Sequence, residues 1–254
     1  MKFRTHGYRF ADDLYERNEA FSEEWSEIVE AIKSIKDEEI ITEFENEKRK
    51  AKSISQALNR LIKARLVDYK WKSESYIFAD EDYAKRTKGT WRLDFAKKNI
   101  SVEVAFNHRS DILWNLMKPT LASELNHVDK ALQTQGGVII AATENLKSAC
   151  GFDSAVGTYE DYVQYLKPLS LKLTTPLLIV GLEPPETFRI DVEQVSKGSK
   201  KYGIVRRLAA SDGSYWLCPE CGGKVSSGLN NCTCGRRLMY AWPDQKTGYV
   251  CSVE

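Results

Sequence analysis

Two hydrophobic spacings alternate along this chain. Over residues 21–41, Trp25, Ile28, Val29, Ile32 and Ile35 fall on one stripe at 3.6-residue spacing, which predicts an amphipathic helix. Ser22 is the expected cap, and Glu23 and Glu24 suit the positive end of the helix dipole. Residues 43–52 read as a charge-rich connector. A second helix is expected over residues 53–67, where Ser53-Ile54-Ser55-Gln56 has capping-box spacing and Leu58, Leu61, Ile62 and Leu66 form the apolar face.

The period then drops from 3.6 to two. In Trp91-Arg92-Leu93-Asp94-Phe95 the apolar residues alternate with Arg92 and Asp94. In residues 100–107 one face is Ile100, Val102, Val104 and Phe106, and the other is Ser101, Glu103, Ala105 and Asn107. These are period-two strands, and Ala96-Lys97-Lys98-Asn99 is a hairpin-length connection. Helical signals return over residues 110–118 and 121–132, with Pro119 as a break or a new first turn, and over residues 158–166. Gly136-Gly137 introduces the apolar run Val138-Ile139-Ile140-Ala141-Ala142, and residues 176–182 are a second such run; both read as buried strands. Strands alternating with helices predict an α/β fold with a central mixed sheet flanked by helices. Residues 1–195 are assigned to that domain and 196–254 to a separate C-terminal module.

The hairpin brings two acids together. Centred between Lys98 and Asn99, it opposes residues whose numbers share one sum, and Asp94 falls opposite Glu103. Opposed side chains in a sheet stand roughly 4.5–5.5 Å apart at Cβ. Two carboxylates at that separation repel, so one takes a proton unless a cation lies between them. A hard divalent ion such as magnesium suits that geometry; the alternative is a solvated hairpin face with two incidental acids.

At these residues the chain resembles the restriction endonucleases of the PD-(D/E)XK superfamily, most nearly the BglII and BstYI type. The resemblance rests on Asp94-Phe95 followed by Ser101-Val102-Glu103-Val104-Ala105-Phe106 and extends to Glu124-Leu125, Tyr159-Glu160 and the strand over residues 176–182. It covers about residues 1 to 190 and implies hydrolysis of DNA phosphodiesters, with magnesium held by Asp94 and Glu103. It also implies a homodimer acting on a short palindrome in double-stranded DNA. Glu74, in Trp71-Lys72-Ser73-Glu74, matches an acidic or amide group that such enzymes carry ahead of the hairpin; a plain surface role is the alternative. The segment after the second strand and a later loop enter the major groove in such enzymes, which implicates Asn107, His108 and Arg109, then Lys118, then Asp153 and Ser154. Their types suit base edges, Arg or Lys to guanine, Asn to adenine and Asp to cytosine; phosphate contact is the alternative.

The chain departs from the resemblance at Ala105. The superfamily usually has Lys there and the BglII type has Gln, whereas alanine can neither orient a water nor hold a metal. Three explanations stand open: an inactivated variant, an enzyme in which another group such as Asn107 serves, or a protein that binds DNA without cutting it. Lys97 and Lys98 are poor substitutes, because both sit in the turn.

Composition adds a second module. Of six cysteines, Cys218, Cys221, Cys232 and Cys234 fall within 17 residues. The pairs Cys218-Pro219-Glu220-Cys221-Gly222 and Cys232-Thr233-Cys234-Gly235 have the look of a zinc ribbon whose four thiolates close the coordination shell, which makes the zinc structural. A redox dithiol would not explain four thiols. Residues 1–50 hold 9 Lys and Arg against 14 Asp and Glu, and residues 195–254 hold 9 against 4, so an anionic partner is expected at the C-terminal part. That module either clamps DNA or packs as a cap on the main domain or the dimer partner. No run approaches the ~20 apolar residues of a membrane helix. The first eight residues have no apolar stretch after their basic positions, so a soluble, cytoplasmic protein is expected.

Overall fold

A computed structural model describes residues 1–47, 51–80, 83, 91–124, 129–194 and 200–208, and the backbone of residues 215–217 and 224–226. Its chain-order elements are β1 (Phe3–Tyr8), α1 (Ala11–Arg17), α2 (Glu19–Ser34), α3 (Asp37–Glu45), α4 (Ser55–Asp68), β2 (Lys72–Tyr76), β3 (Arg92–Lys97), β4 (Ile100–Val104), α5 (Ile112–Ser123), β5 (Gly136–Ala142), α6 (Glu144–Ala149), α7 (Tyr159–Leu166), β6 (Leu177–Leu182), β7 (Phe188–Glu193), β8 (Tyr202–Arg207), β9 (Tyr215–Leu217) and β10 (Lys224–Ser226). Six strands form one mixed sheet in the order β1-β6-β5-β4-β3-β2. The β4-β5 and β5-β6 pairs are parallel, and β1-β6, β3-β4 and β2-β3 are antiparallel. β7 and β8 form one two-stranded sheet, and β9 and β10 another.

The chain divides into two compact units. One is Met1–Pro185 with Ile190–Val205, and the other is Glu186–Arg189 with Arg206–Glu254. The four clustered cysteines lie outside the described residues, as does most of the stretch that follows Leu208. No helix among the described residues is long and apolar enough to cross a membrane.

β5 and β6 are the centre of the sheet, and every one of their residues is buried. Successive side chains point to opposite faces. On one face Ile139, Ala141, Leu177 and Ile179 pack with Ala105, Ile112 and Leu116 and with Tyr159 and Tyr162 of α7. Two glycines permit this approach. A Cβ at Gly137 would overlap the Pro119 ring of α5, and one at Gly181 would lie 2.6 Å from the Tyr159 ring. On the opposite face Tyr15 of α1 reaches Gly136, and its hydroxyl donates toward the carbonyls of Gly137 at 3.2 Å and Pro176 at 3.1 Å.

The first expected helix is two helices. Ile35 adopts an extended backbone that ends α2, and α3 starts at Asp37, where the Glu39 carboxylate accepts the Lys36 N–H at 3.0 Å. The break lets Ile35 and Ile40 both bury, which one straight stripe would not do. The α2 cap is Asn18, whose side chain accepts the Ala20 N–H at 2.9 Å, four residues ahead of Ser22. α4 lacks the expected capping box: its cap position is Ile54, and Ser53 instead meets the Ser55 hydroxyl at 3.0 Å. Pro119 lies inside α5 rather than at a boundary.

Candidate active site

The β3-β4 hairpin fixes the centre of the site. Phe95 pairs with Val102, Ala96 with Ser101 and Lys97 with Ile100, which is the register expected from a turn at Lys98 and Asn99. Lys98 takes the left-handed conformation with φ 42° that closes the turn. The register carried one step further puts Asp94 beside Glu103, with which it interacts electrostatically. There the ladder changes character: the Val104 N–H donates to Asp94 Oδ2 at 2.7 Å, so a side chain replaces a backbone acceptor. This bond locks the Asp94 carboxylate against β4.

The polar face of β4 is buried beneath α5. Ser101, Glu103 and Ala105 are all enclosed, Glu103 at 2% exposure. Lys118 projects from α5, and its ammonium donates to Glu103 Oε2 at 2.6 Å. Glu103 Oε1 is buried with no hydrogen-bond partner among the described residues. Burial pushes the Glu103 carboxyl up to about 8, the Asp94 charge adds to that rise, and Lys118 opposes it. Burial likewise raises Asp94 above the usual carboxylate range, against the pull of the Val104 N–H and Lys118. Lys118 thus brings a cation to Glu103 within the carboxylate group.

Glu74 stands at the edge of this group. Ser73 pairs with Phe95 and Ser75 with Leu93, so Glu74 lies across β2-β3 from Asp94. Its backbone is left-handed, φ 53°, a conformation that costs a non-glycine residue about 1–2 kcal/mol. Its carboxylate is exposed and meets Arg92 at 3.0 Å. Among the described residues no three His, Cys, Asp or Glu side chains gather closely enough to hold a metal ion. The donor chemistry of Asp94 and Glu103 still fits a hard divalent ion, because Glu103 carries a buried oxygen without a hydrogen-bond partner among the described residues. Lys97 and Lys98 point away: Lys97 bonds Glu27 and the Tyr69 carbonyl, and Lys98 bonds Glu23.

The residues expected at base edges divide into two sets. Asn107, His108 and Arg109 are exposed and adjoin the exposed Asp153 and Ser154, through a bridge between His108 and Val156 and an Arg109 N–H to the Ala155 carbonyl at 2.7 Å. Two loops distant in sequence thus make one rim. Arg109 is tethered by Asp161 at 3.0 Å and Asp153 by Lys52 at 3.2 Å. Lys118 belongs to the other set, in the carboxylate group rather than on the rim.

Sequence reasoning missed Asn115 and Tyr162, and the place of Lys118. Asn115 is buried and donates to Asn107 Oδ1 at 3.0 Å and to the Tyr162 hydroxyl at 2.6 Å, which fixes the start of the rim loop. A signal existed: Asn115 and Lys118, three apart, lie on one face of a helix whose neighbours Ile112, Leu116 and Pro119 are core residues. Polar groups on an apolar face require buried partners.

The family model of restriction endonuclease BglII/BglIII matches residues 3–182. The crystal structure of restriction endonuclease BglII complexed with a DNA 16-mer is similar to the chain with a TM-score of 0.56 at 20% identity, covering 89% of this chain and 100% of that one. Free BglII is similar with a TM-score of 0.46 at 21% identity, over 82% of this chain and 100% of that one. No curated protein matches. At such identities the likeness to the DNA complex is one of fold.

Proposed function

The chain belongs to the restriction endonuclease BglII/BglIII family, and from that premise we propose that it hydrolyses phosphodiester bonds of double-stranded DNA at a short palindrome, acting as a homodimer. The observation that carries this reading is the pair Asp94 and Glu103, brought together by the hairpin register, with Glu103 buried beneath α5 and Asp94 half-buried beside it. A carboxylate buried as Glu103 is, with a second acid beside it, is unfavourable for folding alone, so its presence argues for a chemical use. Asp94 and Glu103 would hold magnesium, which when bound polarises the scissile phosphate and acidifies a water.

The protein's own groups do the rest. The Val104 N–H orients Asp94, and Glu103 Oε1 has no donor among the described residues. Glu74, across from Asp94, would adjust the charge of the pair from the solvent side. The rim formed by Asn107, His108, Arg109, Asp153 and Ser154 would enter the groove, and Asn115 holds its first residue in place. Cys218, Cys221, Cys232 and Cys234 would enclose a structural zinc in the C-terminal module.

Incubation of the protein with a randomised duplex library in magnesium tests the reading, with Asp94→Asn as control. Cuts at one palindrome that vanish in the control support it. Ala105 favours a second reading, a sequence-specific DNA-binding protein on the same scaffold. Binding of one palindrome with no cutting in magnesium or manganese would decide for that alternative.

A further inference from the structure

Phosphodiester hydrolysis concentrates negative charge on the phosphoryl oxygens, and a cationic donor aimed at that charge contributes strongly in a site that excludes water. Strand β4 offers none after Glu103. Ala105 is 2% exposed and packs in the apolar cluster with Ile112, Leu116 and Tyr162, so that position is closed to any polar group. The charge arrives instead from the helix above.

We propose that Lys118 is a catalytic residue of this site, supplying from α5 the cationic donor that β4 lacks at Ala105; the inference rests on the nuclease reading given above. Three observations carry it. The ammonium lies 2.6 Å from Glu103 Oε2, inside the carboxylate group. An ammonium has three N–H donors, and among the described residues Lys118 spends one on a protein acceptor, which leaves two for a water or a phosphoryl oxygen. Its side chain is 12% exposed against 3% for Glu103, so it is the more accessible member of the pair. The helix that carries it is seated closely: Gly137 admits the Pro119 ring next to Lys118, which limits how far Lys118 can drift. In the reaction a water oxygen bonds to phosphorus and the P–O bond to the leaving sugar oxygen breaks. The water's proton passes to solvent, the leaving oxygen takes up a proton, and the products are a phosphate monoester end and a hydroxyl end. Lys118 donates to the phosphoryl oxygens or the attacking water and is unchanged at the end.

The competing role is that of a placeholder, a counter-ion for Glu103 that a divalent ion displaces. The two roles separate at saturating metal. Lys118→Gln and Lys118→Met are compared with the wild type in single-turnover cleavage at saturating magnesium, in manganese binding by calorimetry, and in affinity for the target duplex in calcium. The expected result is a cleavage rate lowered by about 100-fold or more, the scale of losing one transition-state donor. Manganese affinity is unchanged or tighter, and duplex affinity stays within about threefold. Lys118→Arg, which keeps the charge, should recover part of the rate. Rates within about threefold of wild type for either neutral variant at saturating magnesium would overturn the assignment while leaving the nuclease reading intact. Equal loss of metal binding, duplex binding and rate would overturn it too, as the mark of a structural ion pair. A wild type that cuts no duplex in magnesium or manganese would remove the nuclease reading and this assignment with it.

Discussion

Raising the pH of the metal-free protein from about 5 to about 7.5 should destabilise it through one residue. The Glu103 carboxyl is pushed up to about 8 by burial and by the charge of Asp94, from an ordinary value of 4.5. The folded protein therefore keeps this proton up to about pH 8, while the unfolded chain releases it near 4.5. Between those values the unfolded state binds fewer protons, so stability falls as pH rises. Each pH unit inside the window is worth about 1.4 kcal/mol, so 2.5 units amount to about 3 kcal/mol. In a domain of this size that corresponds to roughly 6–12 °C in melting temperature. Thermal or urea unfolding of wild type and Glu103→Gln in chelator, at several pH values, isolates the effect. The variant's altered hydrogen bond to Lys118 shifts its whole curve, but only the wild type should carry the extra fall. Magnesium at the upper pH should return stability to the wild type and not to the variant. Parallel curves, within about 1 kcal/mol across the range, would refute the reasoning and show that Lys118 fully compensates an ionised Glu103.

Other consequences follow from the supports of the site. Gly137→Ala would drive a Cβ into the Pro119 ring; unfolding should show a loss of about 1–3 kcal/mol or more, and cleavage should fall as α5 is displaced. Asn115→Ala leaves the buried Tyr162 hydroxyl and the Asn107 amide without their shared partner, and denaturant titration should show a cost of about 1–3 kcal/mol. Elemental analysis should find about one zinc per chain, and Cys232→Ser should reduce it; native protein with four freely reactive thiols and no metal would exclude the ribbon.

What the sequence disclosed of this site follows its range of interaction. The β3-β4 register was legible because a short turn sets the pairing, and the period-two pattern forbids a one-residue slip. The buried runs that became β5 and β6 were legible because only a strand covered on both faces is apolar throughout. Helix ends were read less well. The break at Ile35 lies inside an apolar stripe that continues through it, and the Asn18 cap competes with Ser22, an equally good capping type four residues on. The link from Lys118 to Glu103 spans 15 residues and two elements, and no local pattern encodes it. Sequence places Lys118 on a helix; which strand that helix covers depends on the sheet order.

The sheet order in turn explains why α5 decides the charge of this site. β4 is antiparallel to β3, so their hairpin delivers one acid from each strand to a single face. β4 is parallel to β5, and a parallel connection cannot be a tight turn: the chain must cross the sheet between the two strands. α5 is the helix of that crossover, and its apolar residues Ile112 and Leu116 press it onto the face that bears the acids. On that underside Lys118 reaches Glu103. Ala105 and Lys118 thus both meet the sheet face that bears Glu103, one from the strand side and one from the helix. When the strand position is given to core packing, the crossover helix is the nearest element able to bring a cation there.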